Sequence, residues 1–180
     1  DGSDKRIYCM IGDGEAREGQ IWEALDYIVD QKLTNVIAIF NCNGQGQSDY
    51  VSVQQTHPTL ASKLEAFGYE VKTIDGHNWD DVFAALTAEP GDKPLAIVAK
   101  TLKGWGVKEL LSGNYHGKPV AEDNVAAAIA DLDEKAVELG VGNLVDSEAL
   151  DITTPAAVAR PSDGPISAGS LADALTEVGL

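Results

Sequence analysis

The sequence predicts an α/β fold: a parallel sheet with helices on both faces, followed by a flexible linker. Three observations carry that reading. Short apolar runs recur between residues 6 and 99, each closed by turn residues. Between them the apolar positions shift to helical spacing. Each intervening stretch is also long enough to carry the chain back across a sheet, as parallel neighbours require.

Taken in order, residues 6–11 (RIYCMI) read as a buried strand closed by Gly12-Asp13-Gly14. Ile21, Leu25, Ile28 and Val29 mark an amphipathic helix from Gly19 to about Lys32. Residues 36–40 (VIAIF) are a second buried strand, ending in Asn41-Cys42-Asn43-Gly44. Strand, helix and strand in this space form one βαβ unit with parallel, adjacent strands. A helix behind Pro58-Thr59 carries Leu60, Leu64 and Phe67, and residues 69–74 form a strand. Asp75-Gly76-His77-Asn78 then turns into a helix through Trp79, Val82, Phe83 and Leu86. Residues 95–99 (LAIVA) are another buried strand, followed by a Gly-rich loop over 100–119 and an Ala-rich helix over about 121–139.

Beyond Gly140 the composition changes. Residues 141–169 carry Pro155, Pro161 and Pro165 with little periodicity, the pattern of a linker. Leu171, Ala174, Leu175 and Val178 resume a helical stripe. The expected organisation is a domain over 1–140, a linker over 141–169 and the start of a second domain over 170–180. The opening on Asp1, not Met, fits a piece of a longer chain.

A net charge of -16 on 180 residues makes the chain a poor partner for nucleic acid, whose phosphates would repel it. The charge is uneven. Residues 121–180 are strongly acidic, whereas the loop over 103–118 sets Lys103, Lys108 and Lys118 against Glu109. No stretch approaches the ~20 apolar residues of a membrane span, and no signal-peptide pattern opens the chain. Cys9 and Cys42 make no disulfide framework. A cytoplasmic protein with no nucleic-acid or membrane partner is expected.

In parallel α/β sheets, ligands sit at the carboxyl ends of the strands. Two such ends here carry polar residues, Gly12-Asp13-Gly14 and Asn41-Cys42-Asn43-Gly44. Neighbouring strands lie ~4.8 Å apart, so the Asp13 carboxylate and the Asn43 amide oxygen can converge on one cation. Hard oxygen ligands suit Mg²⁺, which usually keeps a phosphate in its shell. The glycines allow close backbone approach, and the helix beginning near Gly19 adds positive dipole. The site reads as a metal–diphosphate clamp. A dinucleotide site fits worse, because its G-x-G-x-x-G would need glycine where Arg17 stands. There is no G-x-x-x-x-G-K-[ST] P-loop either.

The remaining candidates have bland readings. Glu18 and Glu23, taken alone, are ordinary exposed helix acids. His77 and Asn78 fit a helix cap. His57 has no assigned role, and Cys42 is a packed side chain, not a nucleophile. Trp22, Trp79 and Trp105 make no base-stacking platform. His116 stands apart because its loop is basic, bracketed by glycines and on the carboxyl side of a strand.

GDG, a helix, and N-x-N with Asn43 30 residues beyond Asp13 resembles the thiamine diphosphate signature. Within it, GDGEAREGQIWEAL is similar to the transketolase family, where GDG precedes a Glu-Gly pair and a helical Glu. FGYEVKTIDGHNWD, KTLKGWGV and YHGKP follow in the family's order, so the resemblance covers about residues 5–140. It implies that Asp13 and Asn43 bind Mg²⁺ by side chain and Gln45 by its main-chain carbonyl. It implies that Gly14 and Glu15 offer N–H groups to the diphosphate, in the cofactor-binding turn opened by Gly12. Glu18 and Glu23 match acids at a dimer interface that link two active sites. His116 matches a histidine near the diphosphate and the donor sugar.

The function so implied is transfer of a two-carbon ketol unit from a ketose phosphate to an aldose phosphate, with thiamine diphosphate and Mg²⁺ as cofactors. Residues 1–140 would be the diphosphate-binding (PP) domain without its N-terminal portion, and 170–180 the start of the pyrimidine-binding domain. The implied partners are sugar phosphates and either a second copy of the full-length protein or a separate pyrimidine-domain subunit. Asn41-Cys42-Asn43 is also similar to the homodimeric pyruvate dehydrogenase E1 component. The loop over 44–48 is atypical, so its side chains are not carried over. Another thiamine enzyme (that E1 component or 1-deoxyxylulose-5-phosphate synthase), a non-catalytic binding domain and a dinucleotide-binding domain remain the alternatives.

Overall fold

The computed structural model describes residues 5–141. The rest of the expected linker and the stripe from Leu171 to Val178 lie outside those residues. Four strands, β1 (Ile7–Gly12), β2 (Val36–Cys42), β3 (Glu70–Asp75) and β4 (Leu95–Lys100), form one sheet in the order β1-β2-β4-β3. Every pairing is parallel. The helices are α1 (Gly19–Asp30), α2 (His57–Phe67), α3 (Trp79–Leu86) and α4 (Val125–Glu138).

Strand order and crossover handedness together decide the layers. The chain steps one way across the sheet from β1 to β2 and from β2 to β3, then reverses from β3 to β4. Right-handed crossovers therefore put α1 and α2 on one face and α3 on the other. The core divides accordingly. Leu25, Leu60 and Leu64 cluster with Ile11, Ala38, Phe40 and Val98. Ala85 clusters with Ile37, Ile39 and Ile97, the alternate residues of the same strands. Parallel strands buried on both faces read as unbroken apolar runs, as VIAIF and LAIVA do.

Local signals set the helix ends. Pro58 occupies the first turn of α2, where its missing N–H costs nothing. Gly68, at φ +103, closes that helix in the left-handed region. Asn78 caps α3 by accepting the N–H groups of Asp80 and Asp81 at 3.0 and 3.2 Å. Trp22 ties α1 to α2 through Phe67, ring centroids 5.3 Å apart. The buried Tyr69 hydroxyl donates to the Leu25 carbonyl at 3.0 Å.

One element differs from expectation in burial. The first strand was expected to be buried, yet Ile11 alone of β1 is, and Met10 is 65% exposed. Its apolar run registers a capacity for burial, but β1 is the sheet edge and has a neighbour on one side. The Ala-rich helix forms as α4, with no buried residue; Lys108 holds it through Asp131 and Glu134. No helix among the described residues is long and apolar enough to cross a membrane.

Phe40 is fully buried at the centre of the larger core. Phe40→Ala is expected to cost about 3–5 kcal/mol in urea unfolding. Met10→Ser, on the exposed edge strand, should stay within about 0.5 kcal/mol of the parent.

Candidate functional site

The register of β1 and β2 sets Gly12 beside Asn41, so both polar strand ends open at one edge of the sheet. The Asp13 N–H continues that ladder to the Asn41 carbonyl at 3.2 Å. Asn41 in turn accepts from the Thr101 hydroxyl at 2.5 Å, tying the exit of β4 to the same edge.

Asp13 is 3% exposed. Its Oδ1 accepts the N–H of Gly14 at 2.8 Å and its Oδ2 that of Gly44 at 2.6 Å. Gly44 has φ +77, a conformation in which any other residue would be strained. Asn43 Oδ1 accepts the Gln45 N–H at 2.9 Å, and Glu15 Oε2 accepts the Gly12 N–H at 3.0 Å. From beneath, the buried Gln55 amide donates to the carbonyls of Asp13 and Gly14 at 2.8 and 3.3 Å. Gln55 is itself fixed by a reciprocal cap with Ser52.

These groups wall a cleft of about 680 Å³. It gathers Gly12, Asp13, Gly14, Glu15, Glu18, Asn43, Gln45 and His116 from the expected set. Glu23 is exposed on α1 and does not line it. The loop over 44–48 forms one side, pinned where the Gly46 N–H meets the Asp49 carbonyl at 2.7 Å. His57 is the first residue of α2, outside the cleft lining.

Among the cleft residues that escape sequence reasoning, Gln55, Arg17 and Lys103 carry long polar side chains. Gln55 is the second of two adjacent glutamines in a polar stretch, a pattern with no chemical signature. Arg17 served as an argument against a dinucleotide site and turns out to line the cleft. Lys103 belongs to the basic loop, but its partner is visible in three dimensions alone: Nζ lies 2.6 Å from His116 Nδ1. An ammonium can only donate, so Nδ1 accepts and the ring proton sits on Nε2.

The Asp13 carboxylate has no ion-pair partner among the described residues, and its charge is felt nearby. Burial pushes the Cys42 thiol up to about 12, and the Asp13 charge adds to the rise. Cys42 is thus a packed, neutral thiol, as expected.

The donor set fits a hard cation. Asp13 offers carboxylate oxygens, Asn43 an amide oxygen and Gln45 a carbonyl, and the buried Gln45 Oε1 has no hydrogen-bond partner. No group of three or more His, Cys, Asp or Glu among the described residues could hold a metal alone. A cation here would complete its shell with oxygens from a ligand, and Lys103, Arg17 and the His116 Nε2–H supply positive or donating groups for an anionic one.

Comparison with known proteins finds similarity to transketolases. Residues 1–138 match the family model described as "Transketolase, thiamine diphosphate binding domain". The chain is 37% identical to rat transketolase over 128 residues, 71% of this chain and 20% of that protein. To human transketolase it is 33% identical over 162 residues, 87% of this chain and 26% of that protein. The transketolase structure from Campylobacter jejuni is similar with a TM-score of 0.62 at 33% identity, covering 76% of this chain and 22% of that one. The chain thus spans about a fifth to a quarter of the length of these relatives.

The Cys42 environment carries a pH dependence. With the folded thiol near 12 and the unfolded one near 9, the native state holds the proton that the unfolded chain releases between those values. This contribution is complete below pH 9 and declines as pH rises toward 12, so urea midpoints of Cys42→Ala should fall less over that window than those of the parent. Alkylation of the native protein at pH 8 should label the exposed Cys9 and spare Cys42.

Proposed function

The chain belongs to the transketolase family through its thiamine diphosphate-binding domain, and from that premise we propose that its cleft is the Mg²⁺–diphosphate half of a transketolase active site. The observation that carries the proposal is the buried Asp13 carboxylate, held between two strand ends by the Gly14 and Gly44 N–H groups with no ion-pair partner among the described residues. In this reading Asp13 and Asn43 hold Mg²⁺ by side chain and Gln45 by its carbonyl. The Glu15 N–H would face the diphosphate, and the Gly14 N–H, which donates to Asp13 Oδ1 at 2.8 Å, would have to be shared with it. Thiamine diphosphate, when bound, supplies the carbon–carbon bond chemistry by which a two-carbon ketol unit passes from a ketose phosphate to an aldose phosphate.

The chain's own residues bind and orient. Lys103 holds His116 in the tautomer that presents Nε2–H as a donor, suited to a diphosphate or sugar oxygen. Gln55 braces the GDG backbone against the pull of a divalent ion. Glu18 lies at the cleft and Glu23 on the outer face of α1, and both are proposed to face a second subunit. The pyrimidine end of the cofactor would be met by a second domain from a partner copy or a separate subunit. Sugar phosphates are the proposed substrates and the cytoplasm the proposed location.

Calorimetric titration with thiamine diphosphate, with and without Mg²⁺, tests the clamp. Asp13→Ala should remove the Mg²⁺-dependent affinity by ~100-fold or more, about 2.8 kcal/mol. Asn43→Ala removes a neutral oxygen and should cost ~10-fold. Unchanged affinity in Asp13→Ala would reject the clamp.

A second expectation concerns the chain alone. An open half-site does not enclose its ligand, and no partner supplies the acid that sets the pyrimidine tautomer. In a coupled ketol-transfer assay with thiamine diphosphate and Mg²⁺, the 180-residue chain should show no turnover. Robust turnover would show that the second half is dispensable.

A further inference from the structure

Lys103 meets His116 inside the cleft, but what fixes Lys103 lies outside it. Asp75 and Lys100 pair at the ends of β3 and β4, so the two chains leave the sheet side by side. Gly76 donates to the Lys100 carbonyl at 2.8 Å, and a Cβ on it would stand 2.5 Å from Thr101 Cγ2. Glycine is what lets this turn sit on the exit of β4. The His77 N–H is taken by Asp75 Oδ1 at 2.9 Å, and the next residue, Asn78, caps α3. The imidazole is therefore carried on a turn anchored at both ends.

That ring makes two contacts to the segment over 101–105. Its Nε2 accepts the Leu102 N–H at 2.8 Å. Its plane lies on Trp105 with centroids 4.4 Å apart and 7° between planes. Lys103 stands between the two contacted residues. The turn is closed by the Trp105 N–H on the Leu102 carbonyl at 3.2 Å, and Lys135 faces the Trp105 ring at 5.4 Å. His77, Leu102 and Trp105 line a second cleft of about 490 Å³, whereas Lys103 lines the first. The segment is the wall between them.

We infer that His77 is a positioning residue, which holds the 101–105 segment by an acceptor and a stacked ring so that the Lys103 amine meets His116. The importance of that contact for ligand binding rests on the function proposed above. A long, flexible amine keeps a single partner more readily when its backbone is already fixed.

NMR of the 180-residue chain without ligand tests this directly. The chain holds three histidines, so the His116 ring signal is readily assigned. Lys103→Met defines where that signal lies when the amine is gone. His77→Phe keeps a ring on Trp105 but offers no acceptor. It should move the His116 signal toward the Lys103→Met position and speed Leu102 amide exchange about tenfold, the loss of one hydrogen bond. His77→Gln can place Oε1 where Nε2 stood and should restore most of both readouts, short of what the stacked ring adds. His77→Asn, whose amide reaches no farther than Nδ1, should not; this Gln and Asn pair decides the matter if His77→Phe fails to fold. With Met already at 103, His77→Phe should leave His116 where it is.

A His116 signal that responds to Lys103→Met but not to loss of the His77 acceptor would overturn the inference. So would equal behaviour of His77→Gln and His77→Asn. Failure of the proposed function reads differently: the parent chain would show no heat with thiamine diphosphate and Mg²⁺, while the ligand-free spectra would keep the pattern expected here.

Discussion

The whole cleft depends on one buried carboxylate shared by two strand ends. Asp13 leaves β1 and receives an N–H from its own turn and another from Gly44, beyond β2. Both bonds require β1 and β2 to be neighbours, parallel, and paired with Gly12 opposite Asn41. A one-residue slip would send the side chains of β1 to the opposite faces and remove Asp13 from the Gly44 N–H. The core on both faces of β2, with Phe40 on one and Ile39 on the other, is what prevents that slip. Packing deep in the sheet thereby fixes where the acid at its edge stands.

The electrostatics follow from the same arrangement. A carboxylate this buried is costly unless it is hydrogen-bonded or meets a cation. Two N–H groups meet part of that demand, and the residual field reaches the Cys42 thiol. Lys103, Arg17 and the donor face of His116 line the same cleft. A chain with net charge -16 thus holds a site that sets two cationic side chains among the acids Asp13, Glu15, Glu18 and Asp49. That polarity suits a cation and an anion bound together, as in a metal diphosphate.

The exposed apolar surface has a consistent distribution. It gathers on β1, on the outer side of α3 at Trp79 and Phe83, and along α4 at Val125, Ile129 and Leu132. None of these side chains lines the cleft, whose supports are Gln55, Asn41, Gly44 and the 101–105 segment. The cleft wall is built by the strands and turns between Ile7 and Trp105, with His116 added from the loop that follows.

Most of the fold was legible in the sequence because backbone periodicity and turn chemistry are local properties. VIAIF and LAIVA could be little else than strands buried on both faces, and the stripe Ile21, Leu25, Ile28 needed a sheet to cover it. GDG and N-x-N at their spacing were enough to bring Asp13 and Asn43 to one cleft, since strand ends in a parallel sheet share one edge. Burial of β1 was misread because an apolar run carries no record of how many neighbours it has. Gln55, Arg17, Lys103 and the stack of His77 on Trp105 were decided by tertiary structure alone. Gln55, Lys103 and His77 act through partners distant in sequence: Gln55 on Asp13, Lys103 on His116, His77 on Leu102. The sequence by itself determined which chemistry stands at the strand ends. The three-dimensional packing decided which long side chains arrive there, because their reach is set by turns whose positions depend on the whole sheet.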